Sequence, residues 1–445
     1  MRTESKHLGL GLTTIACLTI AYQGACKPAD DKAASSSSSS SSGEPGTDSG
    51  TDGPTGEEGG SSGTLPPAAV MHQVTGVNGD ERVSGIYCAP GATMCVIAAN
   101  GSNARIAATT GTAVAQTPIL VGDDALAAKI GMIGGPRFLG FQKVAGKVIA
   151  LLDTGARGFI SATGDPTVAA SWQVAKLGAA TPDDFGLNHQ YGFGFDGTTW
   201  VQMRHNSGIY TASGTPTTGW VNIWGPGGAQ DLPADIDTRK AADATLCNSS
   251  VSYSVSPSPV QAGYVAPNAE IILYPAGAVN AIKAPDGAGI CISTDKGVTF
   301  HIVKLAAEET ADHRGPTAVT CITKDKCFVG GGQVSSATSA YLYYTDNASA
   351  GAMSTWKKAT IPTQVGDEFI NSIFFAPDGT HGWAVGAKNG THALVLTTTD
   401  GGHTWTDTSA TVSGLGTDSE LYSGFASDAT HVMIGGKSGA LVSTF

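Results

Sequence analysis

Residues 397–405 read TTTDGGHTW, and the reading of this stretch decides the fold. An Asp, two Gly, a His, several Thr and a Trp in so short a run suit a metal or catalytic loop. They suit equally a turn that pins a sheet. A sibling argues for the turn: ISTDKGVTF at 292–300 repeats the order Ser/Thr, Asp, Gly, Thr, aromatic at the same spacing. Looser copies are ISATGDPTVAASW (160–172), IYTASGTPTTGW (209–220) and YTDNASAGAMSTW (344–356). The aromatic markers Trp172, Trp220, Phe300, Trp356 and Trp405 thus recur about every 50 to 80 residues, the spacing of a repeat architecture. Around the last marker lie the runs NSIFFA, GWAVGA, ALVLTT and TWTDTS, separated by turn residues. Four short strands per repeat predict a propeller blade.

The turn then has a physical account. Asp400 accepts hydrogen bonds from its own hairpin, as Asp does in tight turns. Gly402 supplies a φ that other residues resist. Trp405 covers the turn and fills the space between blades. The two well-formed stretches resemble Asp-box repeats, Ser-x-Asp-x-Gly-x-Thr-Trp, here Ser293, Asp295, Gly297, Thr299 and Phe300, and Thr398, Asp400, Gly402, Thr404 and Trp405. Such repeats occur in sialidase-like propellers and in propellers similar to the photosystem II stability and assembly factor. The order GWAVGAKNG…LTTTDGG and the Cys-clipped hairpins are more similar to the second group. The resemblance spans 66–445. It implies that the Asp-box residues are structural and lie away from any site, and that the propeller binds partners rather than turning over substrate.

Blades are expected at about 84–118, 136–178, 188–226, 247–305, 316–362 and 367–411. After 420 only three strands remain, LYSGFAS, HVMIGG and ALVSTF. The missing fourth is expected from AAVMHQVTG (68–76), which would close the ring and remove an exposed edge. The expected fold is therefore all-β, a seven-bladed propeller. Six or eight blades remain open if 247–305 is one insertion or two blades.

The chain opens with Arg2, Lys6 and His7, then an apolar run from Leu8 to Ala21, too short for a stable span and read as a secretory signal over 1–25. YQGAC, ending at Cys26, resembles a bacterial lipobox, with Gln23 where Leu is usual; the resemblance implies acylation of Cys26. Cys17, inside the apolar run, is a weaker candidate, and a plain signal peptide is the alternative. Residues 26–65 include SSSSSSSSGEPGTDSGTDGPTGEEGGSSG, which has no apolar period and is expected to be an unfolded tether. Such a Gly/Ser-rich coil reaches on the order of 35 Å.

With 37 acidic and 25 basic residues, the chain carries a net charge of −12, which argues against a nucleic-acid partner. Six Cys follow Cys26, an even number in an exported chain. Close spacing predicts hairpin clips Cys88–Cys95 and Cys321–Cys327; elimination leaves Cys247–Cys291.

Propeller ligands usually meet the face carrying the loops that link one blade to the next. Each expected linking loop holds acids: Asp80, Glu81, Asp123, Asp124, Asp183, Asp184, Asp235, Asp237, Glu308, Glu309, Asp312, Asp367, Glu368, Asp418 and Glu420. Gathered on one rim they would make a docking surface for a basic protein segment or a weak Ca²⁺ site; dispersed, they serve solubility. Arg82, Arg137 and Arg314 precede first strands. In a sialidase-like enzyme three arginines grip a carboxylate and a Tyr–Glu pair does chemistry, which would fall on Tyr422 and Glu420. The N-terminal Arg motif of those enzymes is absent. There is no G-x-S-x-G, H-E-x-x-H or phosphate-binding Gly loop. The expectation is a non-catalytic, monomeric envelope lipoprotein without cofactor or metal. It would bind a protein or glycan at the acidic face and touch the membrane through its lipid alone. The alternatives are a sialidase-like enzyme and a purely structural surface protein.

Overall fold

Six times the chain lays down four short antiparallel strands in succession as one sheet, and a seventh four-stranded sheet joins its last three strands to its first. The computed structural model describes residues 70–445 apart from 103, 132–134, 153–157, 177–189, 205–207, 216–219, 225–262, 277–288, 306–315, 333–339, 363–367, 389–391 and 416–418. The expected signal, Cys26 and the tether lie outside the described residues.

A two-residue strand, β1 (His72–Gln73), comes first. Blade 1 is β2 (Arg82–Cys88), β3 (Cys95–Asn100), β4 (Arg105–Thr109) and β5 (Leu120–Val121). A short helix, α1 (Asp124–Ile130), leads into blade 2: β6 (Phe138–Val144), β7 (Lys147–Leu152), β8 (Gly158–Thr163) and β9 (Trp172–Lys176). Blade 3 is β10 (Gln190–Phe195), β11 (Thr199–Arg204), β12 (Gly208–Ser213) and β13 (Val221–Trp224). Blade 4 is β14 (Tyr264–Val265), β15 (Ile272–Ala276), β16 (Gly289–Ser293) and β17 (His301–Lys304). Blade 5 is β18 (Ala318–Cys321), β19 (Cys327–Gly331), β20 (Tyr341–Thr345) and β21 (Lys357–Lys358). Blade 6 is β22 (Glu368–Phe375), β23 (Gly382–Lys388), β24 (His392–Thr398) and β25 (Thr406–Asp407). Blade 7 is β26 (Leu421–Ala426), β27 (Val432–Gly436) and β28 (Leu441–Ser443), with β1 as its outer strand, His72 opposite Ser443 and Gln73 opposite Val442. The fourth region is one blade, so the ring has seven.

The ring closes at its centre. Each first strand touches the next, from β2 through β6, β10, β14, β18, β22 and β26 back to β2. Five of these strands carry a one-residue bulge, at Ser84, Leu139, Tyr191, Asn371 and Tyr422, each followed by Gly or Ser. A bulge twists the strand and re-aims a side chain. The small residue after it lets neighbouring strands approach: a Cβ on Gly85 would lie 2.4 Å from Gly140 Cα. Polar side chains then clasp the next blade's backbone. Ser84 Oγ donates to Phe138 O, Thr317 Oγ1 to Ile370 O, Asn371 Nδ2 to Leu421 O and Ser423 Oγ to Val83 O. Gln142 accepts from Phe193 N at 2.7 Å and donates to Val265 O at 2.8 Å. Each bond contributes about 1 kcal/mol.

Apolar clusters fill the gaps between blades. One joins Phe328 and Leu342 of blade 5 to Ile370, Leu394 and Trp405 of blade 6. Another joins Phe159 of blade 2 to Phe193, Trp200 and Trp220 of blade 3.

The turns between first and second and between third and fourth strands share one face, here the turn face. The blade-to-blade links and the second-to-third loops share the other, the linking-loop face. Cys88–Cys95 and Cys321–Cys327 bridge first-to-second turns, with Cα atoms 4.2 and 4.0 Å apart. Cys291 is disulfide-bonded on β16; Cys247 lies outside the described residues.

Candidate functional site

The stretch 397–405 forms the turn between β24 and β25, on the turn face. Thr398 Oγ1 donates to Asp400 Oδ1 at 2.8 Å and accepts from Gly402 N at 3.0 Å. Asp400 accepts from His403 N and Thr404 N at 3.0 Å and from Thr404 Oγ1 at 2.5 Å, and Trp405 Nε1 closes the turn onto Gly402 O at 2.9 Å. Burial pushes the Asp400 carboxyl up, but these donors outweigh it and hold it at about 2. Gly402 has φ +92°, and a Cβ there would strike Phe328 of blade 5.

The sibling repeats the pattern. Ser293 Oγ donates to Asp295 Oδ1 at 2.8 Å and accepts from Gly297 N at 2.8 Å; Thr299 bonds Asp295 through N and Oγ1 at 2.9 and 2.6 Å. Phe300 is buried between blades 3 and 4. Blade 5 carries a third version in which Asn347 replaces the carboxylate. It accepts from Thr345 Oγ1 and Thr355 N at 2.8 Å across an inserted 3-10 helix, Ala348–Met353. The carboxylate and amide oxygens of these turns accept from backbone N–H groups and hydroxyls of the same turn, which suits fastening rather than chemistry.

The linking-loop face is where the sequence placed the site. Of the residues expected there, Asp183, Asp184, Asp235, Asp237, Glu308, Glu309, Asp312, Arg314, Asp367 and Asp418 lie outside the described residues. Asp80 and Asp124 are exposed, as is Asp123, which caps α1 through Leu126 N at 2.8 Å. Asp80 accepts from Ser102 N at 3.2 Å, and this donor holds its carboxyl below the usual range. Two other acids are not on a rim. Glu81 is buried against Arg105, whose guanidinium meets it at two points. Glu368 is fully buried; Lys388 Nζ lies 3.8 Å from Oε1 and itself pairs with Asp407 at 3.2 Å. Burial pushes the Glu368 carboxyl up to about 7, with Lys388 opposing and Asp407 adding to the rise. Alternation explains both departures: at a strand start, one residue of shift turns a side chain from the rim into the gap between blades.

At the channel mouth of blades 6, 7 and 1 the structure brings together four of the side chains already singled out or clasping blades. The Arg82 guanidinium carbon lies 4.3 Å from the Tyr422 ring centroid. Tyr422 OH donates to Glu420 Oε2 at 2.7 Å, and Asn371 Nδ2 donates to Glu420 Oε1 at 3.1 Å. Both carboxylate oxygens therefore have donors, and the cation rests on the aromatic face. Arg137, just before β6, is exposed instead.

Sequence reasoning missed the bulge and clasp residues Ser84, Gln142 and Asn371. A signal existed in the recurring small residue after each bulge, as in SGIY, LGFQ, YGFG, NSIF and YSGF. It was masked because Gly and Ser are common throughout the chain.

No family model and no curated protein matches the sequence. Solved structures do match. YCF48 from Cyanidioschyzon merolae shares 12% identity over 84% of this chain and 98% of its own, with a TM-score of 0.55. In fold, the chain resembles YCF48. A structure of YCF48 bound to D1 peptide matches with 12% identity over 84% of this chain and 95% of that one, at TM-score 0.47. The GH74 xyloglucanase from Xanthomonas campestris matches with 12% identity over 82% of this chain and 52% of that one, at TM-score 0.48, so the likeness spans about half its length. Identities this low establish the propeller and nothing narrower.

Proposed function

We propose that this protein is an exported lipoprotein, acylated at Cys26, that displays an Asp-box propeller as a non-catalytic platform for a protein partner. The supporting observation is a contrast at the linking-loop face. Glu420, Tyr422, Arg82 and Asn371 at the channel mouth are bonded to one another, whereas Asp80, Asp123 and Asp124 stand exposed around it. Such a face meets a partner through its rim, and exposed carboxylates steer basic segments toward it. The test immobilises the native chain and passes envelope extract over it at low salt. Native protein retains a partner that high salt releases, and an Asp80→Asn/Asp124→Asn variant retains less. Equal retention by both would remove the acidic face from the account. A Cys26→Ser change is expected to release the protein from membranes.

A second reading, a sialidase-like glycoside hydrolase, is favoured by one observation: the 2.7 Å bond between Tyr422 OH and Glu420, with Arg82 over the ring. It requires turnover of aryl glycosides that a Tyr422→Phe variant loses.

A further inference from the structure

We propose that Lys388 and Glu368 join through an intramolecular amide bond, Nζ to Cδ, with Asp407 taking the proton that frees the amine. The two residues face each other across β22 and β23, at the linking-loop end of blade 6. Lys388 Nζ lies 3.8 Å from Glu368 Oε1 and 3.2 Å from Oδ2 of Asp407, on β25. An amine, a carboxyl and a second carboxylate thus meet in one place.

Glu368 is the unusual member. It is fully buried, and neither of its oxygens has a hydrogen-bond donor. A buried polar group left without a partner costs free energy. Lys388 gives its shorter contact to Asp407, so the buried carboxyl is not held as an ordinary ion pair. The surroundings keep water away from it. Ile370, Ala384 and Leu394 stand on the same face of the sheet, all buried. Blade 5 meets the strand with backbone: a Cβ on Gly332 would lie 2.0 Å from Glu368 O. His392, opposite Lys388 on β24, is exposed. Amide formation removes the ionisable carboxyl from this site and leaves an N–H beside Asp407.

Burial pushes the Asp407 carboxyl up, but donors from Ser409 and Lys388 outweigh it and hold it below the usual range, so it stands ready as a carboxylate to accept a proton from the ammonium. Burial pushes Glu368 up to about 7, so near neutral pH much of it is the neutral acid that an amine attacks. The Nζ lone pair adds to Cδ and the hydroxyl departs. Of the ammonium's three protons, one stays on the amide nitrogen, one leaves with that hydroxyl as water, and one remains on Asp407 until solvent takes it. A C–N bond forms, a C–O bond breaks, and nothing is oxidised or reduced. Paired strands supply the proximity; oriented groups reach effective molarities of about 10⁵–10⁸ M. The bond ties the inner strand of blade 6 to its neighbour at the linking-loop end, as the Cys pairs do at the turn end of blades 1 and 5. Linked chain has no carboxyl at 368 to titrate, so the pH dependence due to Glu368 belongs to the unlinked chain.

The test is mass spectrometry of the full chain, made with no added enzyme, after cleavage on the N-terminal side of aspartates. Such cleavage separates residues 367–377 from 378–399 in an unlinked chain. The native chain is expected to yield them as one joined fragment, lighter than their sum by one water. Lys388→Arg keeps the charge without the amine and is expected to yield separate fragments. Asp407→Asn lacks the proton acceptor and is expected to do the same. Separate fragments of full mass from the native chain overturn the proposal, whatever the variants do. A joined fragment from Lys388→Arg puts the link on another residue and overturns the assignment. A joined fragment from Asp407→Asn removes Asp407 from the step. None of these outcomes bears on what the linking-loop face binds.

Discussion

Glu81 and Arg105 meet at two points, Nε to Oε1 at 2.7 Å and Nη2 to Oε2 at 2.8 Å. Arg105 Nη2 also donates to Gly76 O at 3.0 Å, and Glu81 Oε2 accepts from Asn78 N at 2.7 Å. The pair thus ties β4 to the loop that brings the chain from β1 into β2. Arg105→Ala leaves a buried carboxylate without its cation and is expected to cost about 3–5 kcal/mol. Urea unfolding followed by Trp fluorescence checks this, and Glu81→Gln/Arg105→Met is expected to recover much of the loss.

The closing strand gives a sharper test. Met71 N donates to Thr411 O, Val74 N to Leu441 O, and Thr75 exchanges backbone bonds with Thr112 and Val114. Five residues therefore stitch blade 6's tail, blade 7 and blade 1 together. A chain starting at residue 66 is expected to unfold cooperatively. One starting at residue 76 is expected to expose the edge of β28 and become protease-sensitive around 421–445.

Asp400→Ala removes the acceptor for four donors of one turn and is expected to lower stability by about 1–2 kcal/mol. Asp400 has a folded pKa of about 2, below the 3.8 of an ordinary aspartate. Its contribution is fully present above about pH 4 and is lost as pH falls toward 2. The stability difference between native protein and Asp400→Ala should therefore shrink over that window in acid titrations of the unfolding midpoint.

Glu368 predicts the opposite sign. Its folded pKa of about 7 lies above the 4.5 of an ordinary glutamate, so the native state holds a proton that the unfolded state releases. Its stabilisation is present below about pH 4.5 and is lost as pH rises through 7. Glu368→Gln should gain on the native protein between pH 5 and pH 8, by on the order of 2 kcal/mol. A constant gap across that range would remove the buried carboxyl from the pH dependence.

Much of the architecture was legible because a propeller repeats itself. TTTDGGHTW and ISTDKGVTF fixed the turn, and the three-strand remainder after 420 pointed back to 68–76. The site was less legible. Side chains in this fold take their direction from bulges in the first strands, and a bulge leaves no mark beyond a Gly or Ser. Glu81 and Asp80 are neighbours with the same chemistry, yet one faces Arg105 and the other solvent. Asn347 escaped notice as a turn acceptor because six residues of 3-10 helix separate it from the rest of its motif.

The pairing of His72 and Gln73 with Ser443 and Val442 also sets an order of events. Ribosomes make the N-terminal partner hundreds of residues before its mate exists. Until the last segment emerges, the nascent body cannot complete its circle, and six finished sheets wait with two raw edges. Ring closure is thereby deferred until β26, β27 and β28 have been made, because β1 has no sheet to join before then.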